Sequence, residues 1–166
     1  MSHFIENGTS STSLSILLRP LSRGNWEACA ALAVAPEQNA WVAPNVYSIA
    51  EAQFLTGFSS LAVYSDETIV GYALFGPDAD DGGTYWIYRL MIDARYQGGG
   101  YGHAAILRIV EEIAGRPDRS GKVRIGYRPD NAAARHVYAK AGFVEEGVAP
   151  WGEMIAAYTY PNLQMS

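Results

Sequence analysis

The chain has 166 residues, of which 49% are hydrophobic, and it carries a formal net charge of -5 with a pI of about 5.1. This length suits one domain with its own core, and this composition excludes a disordered chain. The acidic balance argues against nucleic-acid binding as the main activity, and no apolar run approaches the roughly 20 residues that span a membrane.

The N-terminus and the cysteine content bear on the compartment. Residues 1–13 are polar, lack an apolar signal core and are predicted to form a flexible tail before a single domain over residues 14–166. Cys29 is the single cysteine, so the chain cannot form an internal disulfide. We expect Cys29 to be a buried core residue rather than a nucleophile, and we expect a cytoplasmic protein.

Apolar periodicity and turn residues predict the elements of the first half. Asn25 is expected to cap the first helix, and Ser48 the second, where Glu51 completes a capping box. The predicted elements are a strand over 14–21, a helix over 25–35, a loop over 36–45, a helix over 48–54 and hairpin strands over 61–64 and 69–75.

Strands and helices alternate in the second half, which predicts a single α+β domain. Aromatic and β-branched residues mark its strongest strand, and Asn131 or Asp130 caps its last helix, which Gly142 ends. The predicted elements are a strand over 84–93, a helix from about 100 to 114, a strand over 122–127, a helix over 132–141 and a strand pair within 143–160. The first of these helices places four residues on one face: Ile106, Ile109, Val110 and Ile113.

Four glycines separate the strand over 84–93 from the helix that follows: Gly98, Gly99, Gly100 and Gly102. Because glycine has no Cβ, consecutive amides can curl toward an anion, and the free N–H groups of the helix add to such a site. The loop therefore predicts a phosphate or pyrophosphate site built from main chain.

Three alternatives to this prediction exist for the loop. A mononucleotide P-loop needs Gly-Lys-Ser/Thr, but His103 and Ala104 follow Gly102. A dinucleotide loop starting at Gly100 matches loosely, yet that fold begins with its glycine unit, and here several elements precede it. A plain glycine-rich turn is the third alternative.

Two motifs together resemble the GNAT superfamily of N-acetyltransferases. The run from Gln97 to Gly102 matches Gln/Arg-x-x-Gly-x-Gly/Ala, and "NAAARHVYAKAGF", residues 131–143, matches a second segment of that family. The resemblance implies a mixed, mostly antiparallel sheet of six to seven strands flanked by four helices, and acetyl-CoA as the cofactor. "QNAWVAPNVYSIAEA" and "YRLMIDARYQGGGYG" further resemble bacterial diamine or spermidine/spermine N-acetyltransferases.

The resemblance also implies cofactor contacts. Gln97 and the amides of Gly98, Gly99, Gly100, Tyr101 and Gly102 would take the pyrophosphate. The main chain of Leu90, Met91 and Ile92 would pair with the pantetheine arm. The second motif would contribute Asn131, which reaches the arm or the helix that carries it, together with Tyr138 and Lys140.

Catalysis is carried over from the family in the same way. The Ile92 N–H would stabilise charge on the thioester oxygen, and Tyr138 would be the general acid. Many relatives carry a glutamate on the strand before the glycine loop, but this chain has Tyr88 and Arg89 there. The base therefore stays open among Glu37, Glu51, Glu153 and main-chain carbonyls.

The acceptor is expected to be a small-molecule amine, most specifically a polyamine or diamine. Carboxylates beside an aromatic ring suit such a cation; the residues expected to line its site are Glu37, Trp41, Asn45, Asp80 and Asp81. Another amine (an amino acid, an antibiotic or a protein N-terminus) and a non-catalytic acyl-CoA-binding regulatory module are the alternatives. No metal is expected, and the resemblance implies a homodimer.

Overall fold

A computed structural model describes residues 14–40 and 42–161, so the predicted tail over residues 1–13 lies outside the described residues. Within them the chain forms seven strands and four α-helices. In order they are β1 Ile16–Pro20, α1 Trp26–Ala30, α2 Asn45–Ala52, β2 Ser59–Ser65, β3 Thr68–Asp78, β4 Thr84–Ile92, α3 Tyr101–Ala114, β5 Lys122–Tyr127, α4 Ala132–Lys140, β6 Val144–Val148 and β7 Met154–Thr159. Short 3₁₀ turns occupy Pro36–Gln38, Ala79–Asp81 and Ala94–Tyr96.

All seven strands form one sheet in the order β1-β2-β3-β4-β5-β7-β6. Each neighbouring pair is antiparallel except β4 and β5, which run parallel. A parallel pair needs a crossover, and α3 supplies it between these two strands. The predicted mixed, mostly antiparallel sheet with four helices is confirmed.

Each face of the sheet is covered by helices. The four residues predicted to share one face of α3 are buried in the larger core cluster, together with α4 residues such as Tyr138. On the other face, α1 and α2 cover a smaller cluster that contains Cys29, Tyr72 and Met91. Cys29 is fully buried, as predicted, and burial raises the pKa of its thiol to about 12.

The first helix is shorter than the predicted span over 25–35. The side chain of Asn25 makes no cap bond in α1; its Oδ1 accepts from the Ser22 N–H (2.7 Å) and its Nδ2 donates to the Pro20 carbonyl. Three residues beyond α1, Ala33 bonds to the end of β4 through both its N–H and its carbonyl. These contacts with other segments of the chain outweigh the local helical pattern.

The predicted capping box of the second helix is wrong. Helix α2 starts three residues earlier, directly after Pro44, so Ser48 lies inside the helix and is 1% exposed. Its Oγ is buried with no hydrogen-bond partner among the described residues. Glu51 forms an ion pair with Arg89 on β4 (3.4 Å) instead of capping the helix.

Candidate active site

The site lies where β4 and β5 part. The two strands pair only over residues 85–87 and 123–125. Beyond that point β4 continues to Ile92 alongside β3 alone. The result is a gap inside the sheet, bordered on one side by the second half of β4.

Main-chain groups of β4 face this gap. The Asp93 N–H donates to the carbonyl of Val70 on β3 (2.8 Å). Because successive strand residues alternate in direction, the N–H groups of Ile92 and Leu90 point away from β3. These two residues can therefore pair with an added strand-like ligand.

A cavity of about 530 Å³ occupies the gap, bounded by the end of β4, the glycine loop (residues 97–102), α3 and α4. All residues predicted to bind the cofactor line it except Gly99: Leu90, Met91, Ile92, Gln97, Gly98, Gly100, Tyr101, Gly102, Asn131, Tyr138 and Lys140. The main-chain groups of Met91 face β3 by the same alternation, which leaves Leu90 and Ile92 as the outward-facing pair.

The glycine loop has the conformation that an anion site needs. Gly98 and Gly100 have φ of 83° and 85°, in the left-handed region that a side chain makes costly. Gly100 is the N-cap of α3, so the free N–H groups of the first helical turn follow the loop directly. Consecutive amides in alternating conformations form a concave nest for phosphate. The residues present therefore fit the pyrophosphate of acetyl-CoA.

The side chain of Gln97 is already used within the chain. Its Nε2 donates to the Ile92 carbonyl (3.0 Å) and to Oε1 of Gln38 (2.9 Å). An amide group has two hydrogens, so both are engaged. With its side chain engaged in this way, Gln97 as a pyrophosphate contact stays a prediction, and the main-chain amides of the loop are free of these bonds.

Tyr138 is buried against the cavity wall. Its ring packs on Tyr127 and Phe143, with centroid separations of 5.4 and 6.0 Å. No described residue makes a hydrogen bond with its hydroxyl. Burial, and secondarily the neighbouring Tyr127, raises the pKa of Tyr138 above its ordinary value. The phenol therefore holds its proton throughout the physiological range.

Asn131 positions the helix that carries Tyr138. Its Oδ1 accepts a hydrogen bond from the Ala134 N–H (3.1 Å), so it is the N-cap of α4. Of the two roles expected for Asn131, these contacts favour the contact with the helix. A cap of this kind stabilises a helix by about 1 kcal/mol.

Two of the predicted acceptor residues serve other contacts. Asn45 is 4% exposed and donates from Nδ2 to the Cys29 carbonyl (2.9 Å), so the prediction that it lines the acceptor site is wrong. Asp81 accepts from Trp86 Nε1 (2.8 Å) and pairs with Arg124 (2.7 Å). Both contacts engage the Asp81 carboxylate within the chain, so its predicted place in the acceptor site stays a prediction.

The remaining acceptor candidates and the candidate base Glu153 lie away from the cavity or outside the described residues. Glu37 and Asp80 are exposed, and Trp41 lies outside the described residues. Glu153 accepts a hydrogen bond from Trp151 Nε1 (2.7 Å) in the segment before β7. Glu37 does not line the cavity, whereas its neighbour Gln38 does.

The sequence reasoning missed a cluster on the α2 face of β4. Tyr88 donates from its hydroxyl to Asp78 Oδ2 (2.7 Å) and packs on Phe58 with a centroid separation of 4.6 Å. Burial raises the pKa of Tyr88, and the hydrogen bond to Asp78 raises it further. The register shifts here, since Leu74 pairs with Arg89 and the next residue of β3 pairs with Ile87. Strict alternation along β4 could not have located Tyr88.

A family comparison identifies the class of protein that this fold and cavity form. Residues 25–143 match the model of the acetyltransferase (GNAT) family. This match extends over most of the chain, so the chain belongs to the GNAT family and is an acyltransferase that uses acetyl-CoA.

Among curated proteins, the chain is similar to the spermine/spermidine N(1)-acetyltransferase of Bacillus subtilis strain 168. The two are 24% identical over 139 residues, which cover 81% of this chain and 91% of that protein. A probable spermine N(1)-acetyltransferase of Bacillus subtilis subsp. natto is 23% identical over the same lengths.

Solved structures share the fold. The aminoglycoside acetyltransferase AAC(6')-Ib in complex with coenzyme A superposes with a TM-score of 0.71 at 21% identity, covering 87% of this chain and 95% of that one. Mycobacterium smegmatis RimJ in complex with CoA-disulfide gives 0.68 at 20% identity, covering 91% and 85%.

Residues 14–40 and 42–161 contain neither a membrane-spanning helix nor a cluster of metal ligands. No helix in these ranges is long and apolar enough to cross a membrane. The same ranges hold no group of three or more His, Cys, Asp or Glu side chains arranged around a metal ion.

Proposed function

We propose that this enzyme acetylates a primary amine of a polyamine, of the spermidine and spermine type. The observation that carries the proposal is the cluster of carboxylates and aromatic rings on the α2 face of β4, formed by Glu51, Phe58, Asp78, Asp80 and Tyr88. The curated relatives that act on spermine or spermidine support the same acceptor class.

The charges of this cluster suit a flexible polycation. Asp78 accepts from Tyr88, and its Oδ1 also accepts from the Asp80 N–H (2.8 Å), which holds the Asp80 main chain against the Asp78 carboxylate. The Asp80 side chain is exposed. Ammonium groups are attracted both by such carboxylates and by neighbouring aromatic faces. Tyr88 precedes Leu90 by two strand residues, about 7 Å along β4, so an amine bound here lies close to the gap.

Acetyl-CoA supplies an activated acetyl thioester when it is bound. The outward N–H groups of Leu90 and Ile92 would hold its pantetheine arm along the gap, and the Ile92 N–H would donate toward the thioester oxygen on which charge develops. Comparable donors in other enzymes contribute about 3 kcal/mol.

Tyr138 donates a proton toward the departing sulfur. A free phenol, with a pKa of about 10, is a weaker acid than a free thiol at about 8.5, so in water this transfer is uphill by about 2 kcal/mol. Desolvation in the cavity raises the basicity of the sulfur as well. Tyr138 therefore keeps its proton at Oη until charge develops on the sulfur.

Glu51 is the base that the contacts favour among the three glutamates considered. Its carboxylate reaches β4 through Arg89 (3.4 Å), next to Tyr88, whereas Glu153 is held by Trp151. Glu51 would accept the proton of the substrate ammonium, directly or through one water molecule.

Thiol release from acetyl-CoA tests the proposal with a panel of amines: spermidine, spermine, putrescine, lysine, an aminoglycoside and a short peptide. We expect kcat/KM for spermidine or spermine to exceed the others clearly. Preference for another amine would overturn the polyamine assignment and leave the acetyltransferase intact. No release from any amine by protein that binds acetyl-CoA would overturn the proposed activity as a whole.

A charge-matched pair of variants tests the carboxylate cluster itself. Asp80→Asn keeps the main-chain bond to Asp78 but removes one charge, so we expect the KM for spermidine to rise severalfold while the KM for acetyl-CoA stays unchanged. Asp66→Asn, at the exposed turn between β2 and β3, removes a charge elsewhere and is the control. Equal spermidine KM values for the two variants would contradict the role of the cluster.

A further inference from the structure

The connection between α1 and α2 is bonded to the cofactor loop through a pair of glutamines. Oε1 of Gln38 accepts from Gln97 Nε2 (2.9 Å) and also from the Ala35 N–H (3.3 Å). The same Gln97 nitrogen donates to the Ile92 carbonyl (3.0 Å). One carboxamide therefore joins the end of β4, the first residue of the glycine loop and the turn that carries Gln38.

A second set of bonds fixes the start of this connection. The Ala33 N–H donates to Asp93 Oδ2 (3.1 Å), and the Ala33 carbonyl accepts from the Ala94 N–H (2.9 Å). Ala33 is thus anchored by main chain and by a buried carboxylate. Gln38, five residues later, closes its turn with a main-chain bond to the Ala35 carbonyl (2.8 Å), but it reaches the cofactor loop through its side chain.

The held segment forms a wall of the cavity. Val34, Gln38 and Val42 line it, although none of them was predicted from the sequence as a site residue. Gln38 and Val42 lie within the loop predicted over residues 36–45, beside the acceptor candidates Glu37 and Trp41, and this is the one signal that the sequence carried. A change in the position of Gln38 therefore alters both the shape of this wall and the setting of Gln97.

We infer that Gln38 is a positioning residue that couples the cofactor loop to the segment over residues 33–40. By accepting one hydrogen of the Gln97 amide, Gln38 directs the other toward the Ile92 carbonyl and fixes the residue from which the glycine loop begins. Occupation of that loop by a phosphate then stabilises the Gln97–Gln38 bond and, with it, the wall of the cavity. This inference rests on the use of coenzyme A and is independent of which amine is the acceptor.

Binding of coenzyme A, with no amine present, tests the inference. Gln38→Leu removes the acceptor at similar size, and we expect the Kd for coenzyme A to rise about three- to tenfold, the range for loss of one hydrogen bond. Asn39→Leu is the matched control, since the neighbouring Asn39 is exposed and makes no side-chain hydrogen bond with any described residue; its Kd should match that of the parent.

Two further measurements separate positioning from simple loss of stability. In a Gln97→Leu background, Gln38→Leu should have no additional effect on the Kd, because it acts through Gln97. Hydrogen exchange over residues 33–40 should slow on addition of coenzyme A in the parent protein and not in Gln38→Leu.

Three outcomes would overturn the inference. They are a Kd for Gln38→Leu equal to that of the parent, additive effects of the two leucine substitutions, and exchange protection of residues 33–40 by coenzyme A that persists without Gln38. All three readouts omit the amine, so they are unaffected if the polyamine proposal fails.

Discussion

Replacing Asp93 by asparagine should weaken the contact between the end of β4 and the segment that follows α1. Asp93 is 5% exposed. Its Oδ1 accepts from the Arg95 N–H (3.0 Å) and Arg95 Nε (2.8 Å), and its Oδ2 accepts from the Ala33 N–H (3.1 Å). Burial alone would raise the pKa of Asp93, but the hydrogen bonds from Arg95 and Ala33 outweigh it and lower the pKa.

The size of the effect follows from these contacts. A hydrogen bond to a buried charged group contributes about 1.5–3 kcal/mol. The asparagine carbonyl keeps one main-chain donor satisfied, while its NH₂ group faces the other. The Arg95 side chain is 69% exposed, so its ion pair adds less than about 1 kcal/mol. We expect Asp93→Asn to lower the free energy of unfolding by about 2–3 kcal/mol, and the Tm by about 4–12 °C for a chain of this size.

Urea unfolding at pH 7, with Arg95→Met as the control, measures the effect. The control removes the exposed partner and keeps the carboxylate, so its free energy of unfolding should fall by less than about 1 kcal/mol. A loss below about 1 kcal/mol for Asp93→Asn, or equal losses for the two variants, would refute the role assigned to the buried carboxylate.

The pH dependence gives an independent check with a definite sign. The pKa of Asp93 is lower in the folded state than in the unfolded state. Its contribution to stability is therefore complete above the ordinary carboxyl pKa of about 4 and is lost as the pH falls through the lowered value. Asparagine does not titrate. The difference in unfolding free energy between the parent and Asp93→Asn should stay constant from pH 7 to pH 5 and narrow below about pH 4.

Three further substitutions probe the site and the core. Tyr138→Phe should lower kcat at least tenfold, within the usual contribution of a general acid, with nearly unchanged affinity for acetyl-CoA, measured by steady-state kinetics and calorimetry. Gly100→Ala should lower the free energy of unfolding by about 1–2 kcal/mol, because φ is 85° there, and should weaken coenzyme A binding. Ser48→Ala should raise the free energy of unfolding by up to about 1 kcal/mol, since it removes a buried hydroxyl without a partner in the described residues.

The first two of these predictions have a control in the chain. Tyr127→Phe removes a phenol that contacts the Tyr138 ring but does not line the cavity, so its kcat should stay within about twofold of the parent. A similar kcat for both phenylalanine variants would remove Tyr138 from the acid role. Gly102 lies in the first turn of α3 and has no positive φ, so Gly102→Ala is the control for Gly100→Ala. An equal loss of unfolding free energy in the two variants would argue against strain at Gly100. Destabilisation by Ser48→Ala would indicate a hydrogen bond that the contacts do not include.

Local signals predicted the elements that form the cofactor side of the site. Strand β5 has the predicted bounds, and α3 begins within one residue of its prediction. Asn131 caps α4 as expected, and Gly142 follows that helix with φ of 101°. In each case the capping residue, the glycine or the repeat of apolar residues lies in the element or directly beside it. These elements could therefore be predicted without knowledge of the segments that pack against them.

The acceptor side depends on contacts between distant residues, and its prediction was poorer. Asp81 was expected to line the acceptor site, but it pairs with Arg124, which lies 43 residues away in the sequence. Asn45 looked like a loop residue, but it starts a helix and bonds to Cys29. No residue pattern marks where β4 and β5 stop pairing. The homodimer and the cytoplasmic location remain predictions.

The loss of pairing between β4 and β5 also divides the sheet into two parts, here called units. Strands β1 to β4 form one unit and β5 to β7 the other, and the sheet joins them through three residue pairs: Tyr85 with Val123, Trp86 with Arg124 and Ile87 with Ile125. The two units are therefore hydrogen-bonded at one end of β4 and separate at the other. A ligand that lies along β4 on one side and touches α4 on the other spans the separate end, so binding should make the two units unfold together more cooperatively.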